Sequence, residues 1–237
     1  MDQTDPAPAA ATSPTVSMPL GLFVFTLLYG GMTVLAGVLA FKQVQLWPTN
    51  LAVESGIFPF LLLVVISSTL SQLYGRAMAQ RIVWWGFLPL GVASALLPLV
   101  LLLPASLEML SNPERLKDLA AFERVHWTTP RVWMAGPASY ITSLLLNIWI
   151  FDRLRGAGEE STLGLMVRGA VASALSQAVD SVIFITLAFY GLFPIMNLMI
   201  GQVLAKVVLS LVLVPFLITG GVQAARWLDA RPAKPAL

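Results

Sequence analysis

Cysteine is absent from this sequence and histidine occurs once, as His126 in a polar stretch. With no thiol there is no disulfide framework, no thiolate metal site and no cysteine nucleophile. A single histidine leaves little room for a multi-histidine metal centre or histidine-based catalysis. Charge is scarce as well. Only 11% of residues are Asp, Glu, Lys or Arg, whereas a soluble domain carries about a quarter because its surface must face water. A net charge of +2, with no basic run of five or more, does not suit a nucleic-acid partner. No phosphate-binding GxxxxGK[ST] and no HExxH zinc motif occur. The "GPAS" at 136–139 lacks the GxSxG form of a nucleophile elbow. The sequence therefore predicts no enzyme, no cofactor and no metal site.

What fills the chain instead is apolar: 57% of the 237 residues, at a mean hydropathy of +0.82. A helix needs about 20 apolar residues to cross the hydrocarbon core. Six segments approach that, at 18–41, 57–74, 82–104, 132–151, 167–190 and 195–219. Continuous apolarity without period-2 alternation argues against a barrel. The expected fold is an all-α, six-helix polytopic membrane bundle over 18–219. The second segment is short and ends polar ("ISSTLSQLYG"), which predicts that it packs inside the bundle or lines a cavity. Residues 1–17 are Pro/Ala/Thr-rich and acidic, unlike a secretory signal, and read as a disordered tail; 220–237 reads as a second tail.

Six crossings put both termini on one side. That side collects Arg76, Arg81, Arg153, Arg155, Arg168, Arg226, Arg231 and Lys234, against Lys42, Arg115, Lys117, Arg124 and Arg131 opposite. The positive-inside rule makes the first side cytoplasmic. Pro59, Pro98, Pro137 and Pro215 fall within spans and predict kinks. Gly30, Gly31, Gly136 and Gly169 are assigned to close helix packing.

Two charges lie deep in apolar runs, Asp180 in "SQAVDSVIF" and Lys206 in "GQVLAKVVL". A carboxylate at the bilayer centre costs about 2.5–3.5 kcal/mol on insertion scales, so it is expected to face inward and find a partner. Asp180 lies 11 positions before Gly191, and Lys206 lies 12 after Pro194. At about 1.5 Å per residue both sit roughly 17–18 Å from the short connecting loop. An ion pair is the natural consequence. Gln177 and Ser173 share the stripe of Asp180, and Gln202 that of Lys206. Such an excess of donors and acceptors suits a polar ligand or a proton path better than a pair serving only as glue. Asn147 and Gln72, with Ser67, Ser68, Thr69 and Ser71, add polar groups from other spans.

"SQAVDSVIFITLAFYG" followed by "IGQVLAKVVLSLVLVPF" resembles the last two helices of the queuosine-precursor transporter family, also called the vitamin uptake transporter family. Gln177, Asp180, Ser181, Phe184, Lys206 and Pro215 carry the match. Upstream, Arg131, Tyr140, Phe151, Arg153, Leu154 and Arg155 resemble the family's Arg-led fourth helix. Phe58, Pro59, Tyr74, Gly75, Ala79, Arg81 and Ile82 resemble its second. The chain departs from the family where Ser68, Gln72 and Asn147 stand at positions usually carboxylic, and where Leu144 replaces a usual Gln.

The resemblance implies uptake of a queuosine precursor or related 7-deazaguanine across the bacterial inner membrane, with a small-molecule substrate and the lipid bilayer as partners. The substrate-binding set it suggests is Asp180, Lys206, Gln177, Asn147, Gln72, Ser68, Gln202 and Ser173. The alternative is a membrane-embedded substrate-binding subunit for a vitamin-like ligand. That reading requires an energising partner, and a homo-oligomer remains open.

Overall fold

The structure, a computed structural model, describes residues 18–153 and 162–231; the side chains of 144, 147, 148, 151, 152 and 162–170 lie outside that description. The expected tail at 1–17 lies outside it too. The described chain forms α1 (Leu20–Leu39), a hairpin of β1 (Gln43–Gln45) and β2 (Ala52–Glu54), then α2 (Ile57–Tyr74), α3 (Arg76–Gly86), α4 (Leu88–Leu101), α5 (Leu107–Ser111) and α6 (Pro113–His126). It ends with α7 (Thr129–Arg153), α8 (Thr162–Phe189), α9 (Met196–Val212) and α10 (Val214–Asp229).

This is an all-α polytopic membrane bundle. Among the described residues, Leu20–Leu39, Ile57–Tyr74, Arg76–Leu101 and Val171–Phe189 are long and apolar enough to cross a membrane. The pair Met196–Val212 and Val214–Asp229, bent by 53°, makes a fifth if counted as one span. The expected fourth crossing falls inside α7, which is not in that set. Residues 144, 147, 148, 151 and 152 of α7 lie outside the described side chains, so that set does not bear on this crossing.

Burial sorts the helices. In α2, 44% of the span is buried, against 11% of Arg76–Leu101, so α2 runs through the middle and α3–α4 faces outward. That placement follows from composition: α2 carries the hydroxyls that lipid would not accept, while α4 is almost wholly apolar. The basic "GRAMAQR" at 75–81 is mostly helix, as the start of α3. Gly75 alone turns the chain, at a φ of 86° that only glycine adopts without strain. Pro215 marks the bend between α9 and α10, where its missing N–H breaks the helical ladder. The helix then runs on to Asp229, so 220–229, the first part of the tail read from sequence, is helical.

Two devices close the ends of the bundle. At one end, Asp229 accepts from the Gly21 N–H and from the Tyr74 hydroxyl, both at 2.6 Å, tying α10 to the start of α1 and the end of α2. The Gly21 N–H is one of the donors a helix start leaves unpaired. At the other end the hairpin folds back onto α9, registering Gln43 with Glu54 and Val44 with Val53. Gly201 admits it: a Cβ there would stand 2.0 Å from the Ala52 carbonyl oxygen.

Candidate functional site

α8 and α9 bring Asp180 and Lys206 together. The Lys206 ammonium donates to Asp180 Oδ2, and each residue is 3% exposed. The Lys206 Nζ also stands 4.1 Å from the Phe60 ring centroid on α2, in cation–π range. Ser143 Oγ of α7 lies 3.4 Å from Asp180 Oδ1. A buried pair survives the loss of hydration only when such contacts satisfy it from several sides.

A third charge joins them that the sequence reading missed. Glu54, at the end of β2, is 3% exposed. Gln202, one turn before Lys206, donates from Nε2 to Glu54 Oε1 at 2.6 Å and accepts from the Glu54 N–H at 3.2 Å. Glu54 Oε2 is buried with no hydrogen-bond partner among the described residues. Burial pushes the Glu54 carboxyl up to about 7, against the pull of Lys206 and the Gln202 bond. One signal was available. Glu54 is the only acid between Asp5 and Glu108, but it reads as part of a polar loop, and only the hairpin's inward fold carries it to the cluster.

Glu54, Asp180 and Lys206 line one cavity of about 220 Å³. Six aromatic side chains line it: Tyr29 of α1, Phe60 of α2, Phe87 at the α3–α4 joint, Trp133 and Tyr140 of α7 and Phe184 of α8. Such spread leaves no stripe in any one helix for sequence reading to find. Sites for drug-sized ligands span roughly 300–1,000 Å³, so this one suits a smaller, flat solute. A second cavity of about 290 Å³ opens toward the Gly75 end of α2, lined by Ser68, Ser71, Arg76, Gln80 and Trp84. Both cavities touch Ser67, Phe87 and Tyr140. The Phe87 and Tyr140 rings, 5.7 Å apart and inclined at 56°, stand between them.

The other sequence-predicted residues scatter. Gln202 is fully buried but holds Glu54 rather than lining the cavity. Gln177 Oε1 is buried without a partner among the described residues, although its residue is absent from the cavity walls. The backbone carbonyl of Ser173 accepts from Ser176 Oγ, and Ser173 borders neither cavity. Ser68 belongs to the second cavity. Gln72 is exposed and borders neither. The side chain of Asn147 lies outside the described residues.

An apolar multi-helix body with buried opposite charges and two cavities meeting at an aromatic pair suits a polytopic membrane transporter. Comparison with known proteins agrees. Residues 54–220 match the family model described as "Putative vitamin uptake transporter", and the chain belongs to that family. It is 28% identical over 201 residues to the "Probable queuosine precursor transporter" of Bacillus subtilis (strain 168), covering 83% of this chain and 82% of that one. No solved structure matches. The matched region opens on Glu54 and ends just beyond the bend at Pro215, so it takes in every charge of the buried cluster.

Proposed function

We propose that this protein takes up a 7-deazaguanine, a precursor of queuosine, across the bacterial inner membrane, binding it in the cavity beside Asp180 and Lys206. The observation that carries the reading is a buried acid–base cluster set into an aromatic box. A guanine-like edge offers an N–H and an exocyclic amine to a carboxylate, and its carbonyl suits a lysine or amide donor. Aromatic walls suit its faces, since base–aromatic stacking contributes about 1–3 kcal/mol per base. Asp180 takes the donor edge and Lys206 the carbonyl. Trp133 Nε1, buried and unpaired among the described residues, is a second donor in the wall. The name of the Bacillus relative supports the substrate class.

The path runs from the cavity at the hairpin end, past Phe87 and Tyr140, to the Arg76 end, with six crossings, α7 the fourth, and both termini in the cytoplasm. The chain works without a nucleotide-hydrolysing partner. Uptake of radiolabelled 7-deazaguanine by cells lacking their own queuosine-precursor carrier tests this. Wild-type protein restores uptake, and Asp180→Asn, inserted at equal level, loses at least ~10-fold of the rate, the equivalent of about 1.4 kcal/mol. Undiminished uptake by that variant removes Asp180 from the site.

A further inference from the structure

The buried cluster is not charge-balanced. Lys206 is its one base among the described residues, set against the two acids Asp180 and Glu54 in the same cavity wall. Lys206 is bonded to Asp180, which leaves Glu54 held by neutral groups alone, the Gln202 amide at Oε1 and the pull of the Gly56 backbone N–H. Its other oxygen has no hydrogen-bond partner among the described residues. An ionised carboxylate in that position has no cation of its own, and burying an uncompensated charge costs several kcal/mol. Gain of one proton at Glu54 makes the cluster neutral; loss of it makes the cluster singly negative.

We propose that Glu54 is the proton-binding site of this transporter, taking up one proton on the outer side and releasing it inside as the solute crosses. Transport is then a symport driven by the proton gradient. This rests on the transport reading above but not on the identity of the solute.

The neighbours of Glu54 fit the role. From α9 it faces Lys206 and neutral Gln202, from α8 Asp180, from α7 Tyr140 and from α1 Tyr29. Its cross-strand partner on β1 is neutral Gln43, and Lys42, one residue earlier, is exposed. Lys206 links the acids. A solute whose carbonyl draws on Lys206 weakens the field Lys206 exerts on Glu54 and favours its protonation, so occupancy of the cavity and protonation of Glu54 are coupled. The hairpin that carries Glu54 joins α1 to α2 and packs on α9, so a shift of α9 against α2 moves the carboxyl relative to the cavity.

The test has two readouts on purified full-length protein in liposomes. Infrared difference titration should show a protonated-carboxyl C=O band that grows as pH falls through about 7 and is missing from Glu54→Gln. If that variant does not fold, Glu54→Asp should show the band displaced, because its shorter arm cannot keep the Gln202 bond. The second readout is accumulation of radiolabelled 7-deazaguanine under an inward acid gradient. One proton per solute supports up to about tenfold accumulation per pH unit, and Glu54→Gln should give none beyond equilibration. A band unchanged in both variants, or no carboxyl titrating near pH 7, overturns the proton site. A band that behaves as expected alongside gradient-insensitive uptake overturns the coupling. Absence of any 7-deazaguanine uptake refutes the substrate reading, and the infrared result still decides the proton site.

Discussion

At the scale of single residues, Asp180 and Lys206 have to be separated into what they hold and what they bind. Removing one member of a buried pair typically costs about 3–5 kcal/mol, because the other is left charged and alone. Lys206→Met should therefore lower thermal stability sharply. The double variant Asp180→Asn with Lys206→Gln, measured below about pH 7 where Glu54 is protonated and no orphan charge is left, should recover most of that loss and still fail to transport. Transport restored together with stability would show that the pair only joins α8 to α9. Glu54 makes a different prediction. Its carboxyl is raised from 4.5 to about 7 by burial, so the native state holds a proton that the unfolded chain has released. Its contribution to stability is then complete below about pH 4.5 and is lost as pH rises through about 7. In detergent, wild-type melting temperature should fall over that window relative to Glu54→Gln, and parallel profiles would contradict the burial of this carboxyl. The pairing of Asp180 with Lys206 was legible because one short loop fixes both depths. Glu54 was not, since its depth depends on a hairpin whose three-residue strands carry too little pattern to be seen.

At the scale of elements, most helices were legible and their joints were not. α2 spans the residues expected from apolarity, and α1, α7 and α8 differ from expectation by a few residues at their ends. Proline foretold the bend between α9 and α10 correctly. Glycine did worse. Gly30 packs as read, an added Cβ standing 3.2 Å from Pro89, but a methyl at Gly31 or Gly136, also read as packing sites, would meet nothing within 4 Å, while Gly37 and Gly86 lie against Trp133 and Tyr29. Close approach depends on which helices meet, and that information is not local. Arg131 shows a joint at work: its Nε donates to the Leu187 carbonyl at 2.6 Å and its Nη2 to the Tyr190 carbonyl at 2.9 Å. These are carbonyls that the C-terminal turn of α8 leaves without helical partners. Arg131→Ala should destabilise by about 1–2 kcal/mol, read as a lower melting temperature. Arg131→Lys, with a point charge in place of the planar fork, should restore only part of it. Full stability in Arg131→Ala would mean that water serves those carbonyls equally well.

At the scale of the whole molecule, a body that is mostly lipid-facing encloses a polar centre; one cavity holds that centre and a second adjoins the first at Phe87 and Tyr140. The class of the protein was legible from composition alone, because so few charges cannot cover a water-soluble surface of this length. The aromatic box was not legible, as four helices and the α3–α4 joint each contribute only one or two rings. The central claim is that this box, with Asp180 and Lys206 at its floor, holds the transported solute. The most direct measurement is equilibrium binding of radiolabelled 7-deazaguanine to purified protein in lipid nanodiscs, comparing wild type with Asp180→Asn and Phe60→Ala. Saturable binding to the wild type, weakened at least about tenfold in each folded variant (1.4 kcal/mol), is the predicted result. Equal affinity in all three proteins would contradict it.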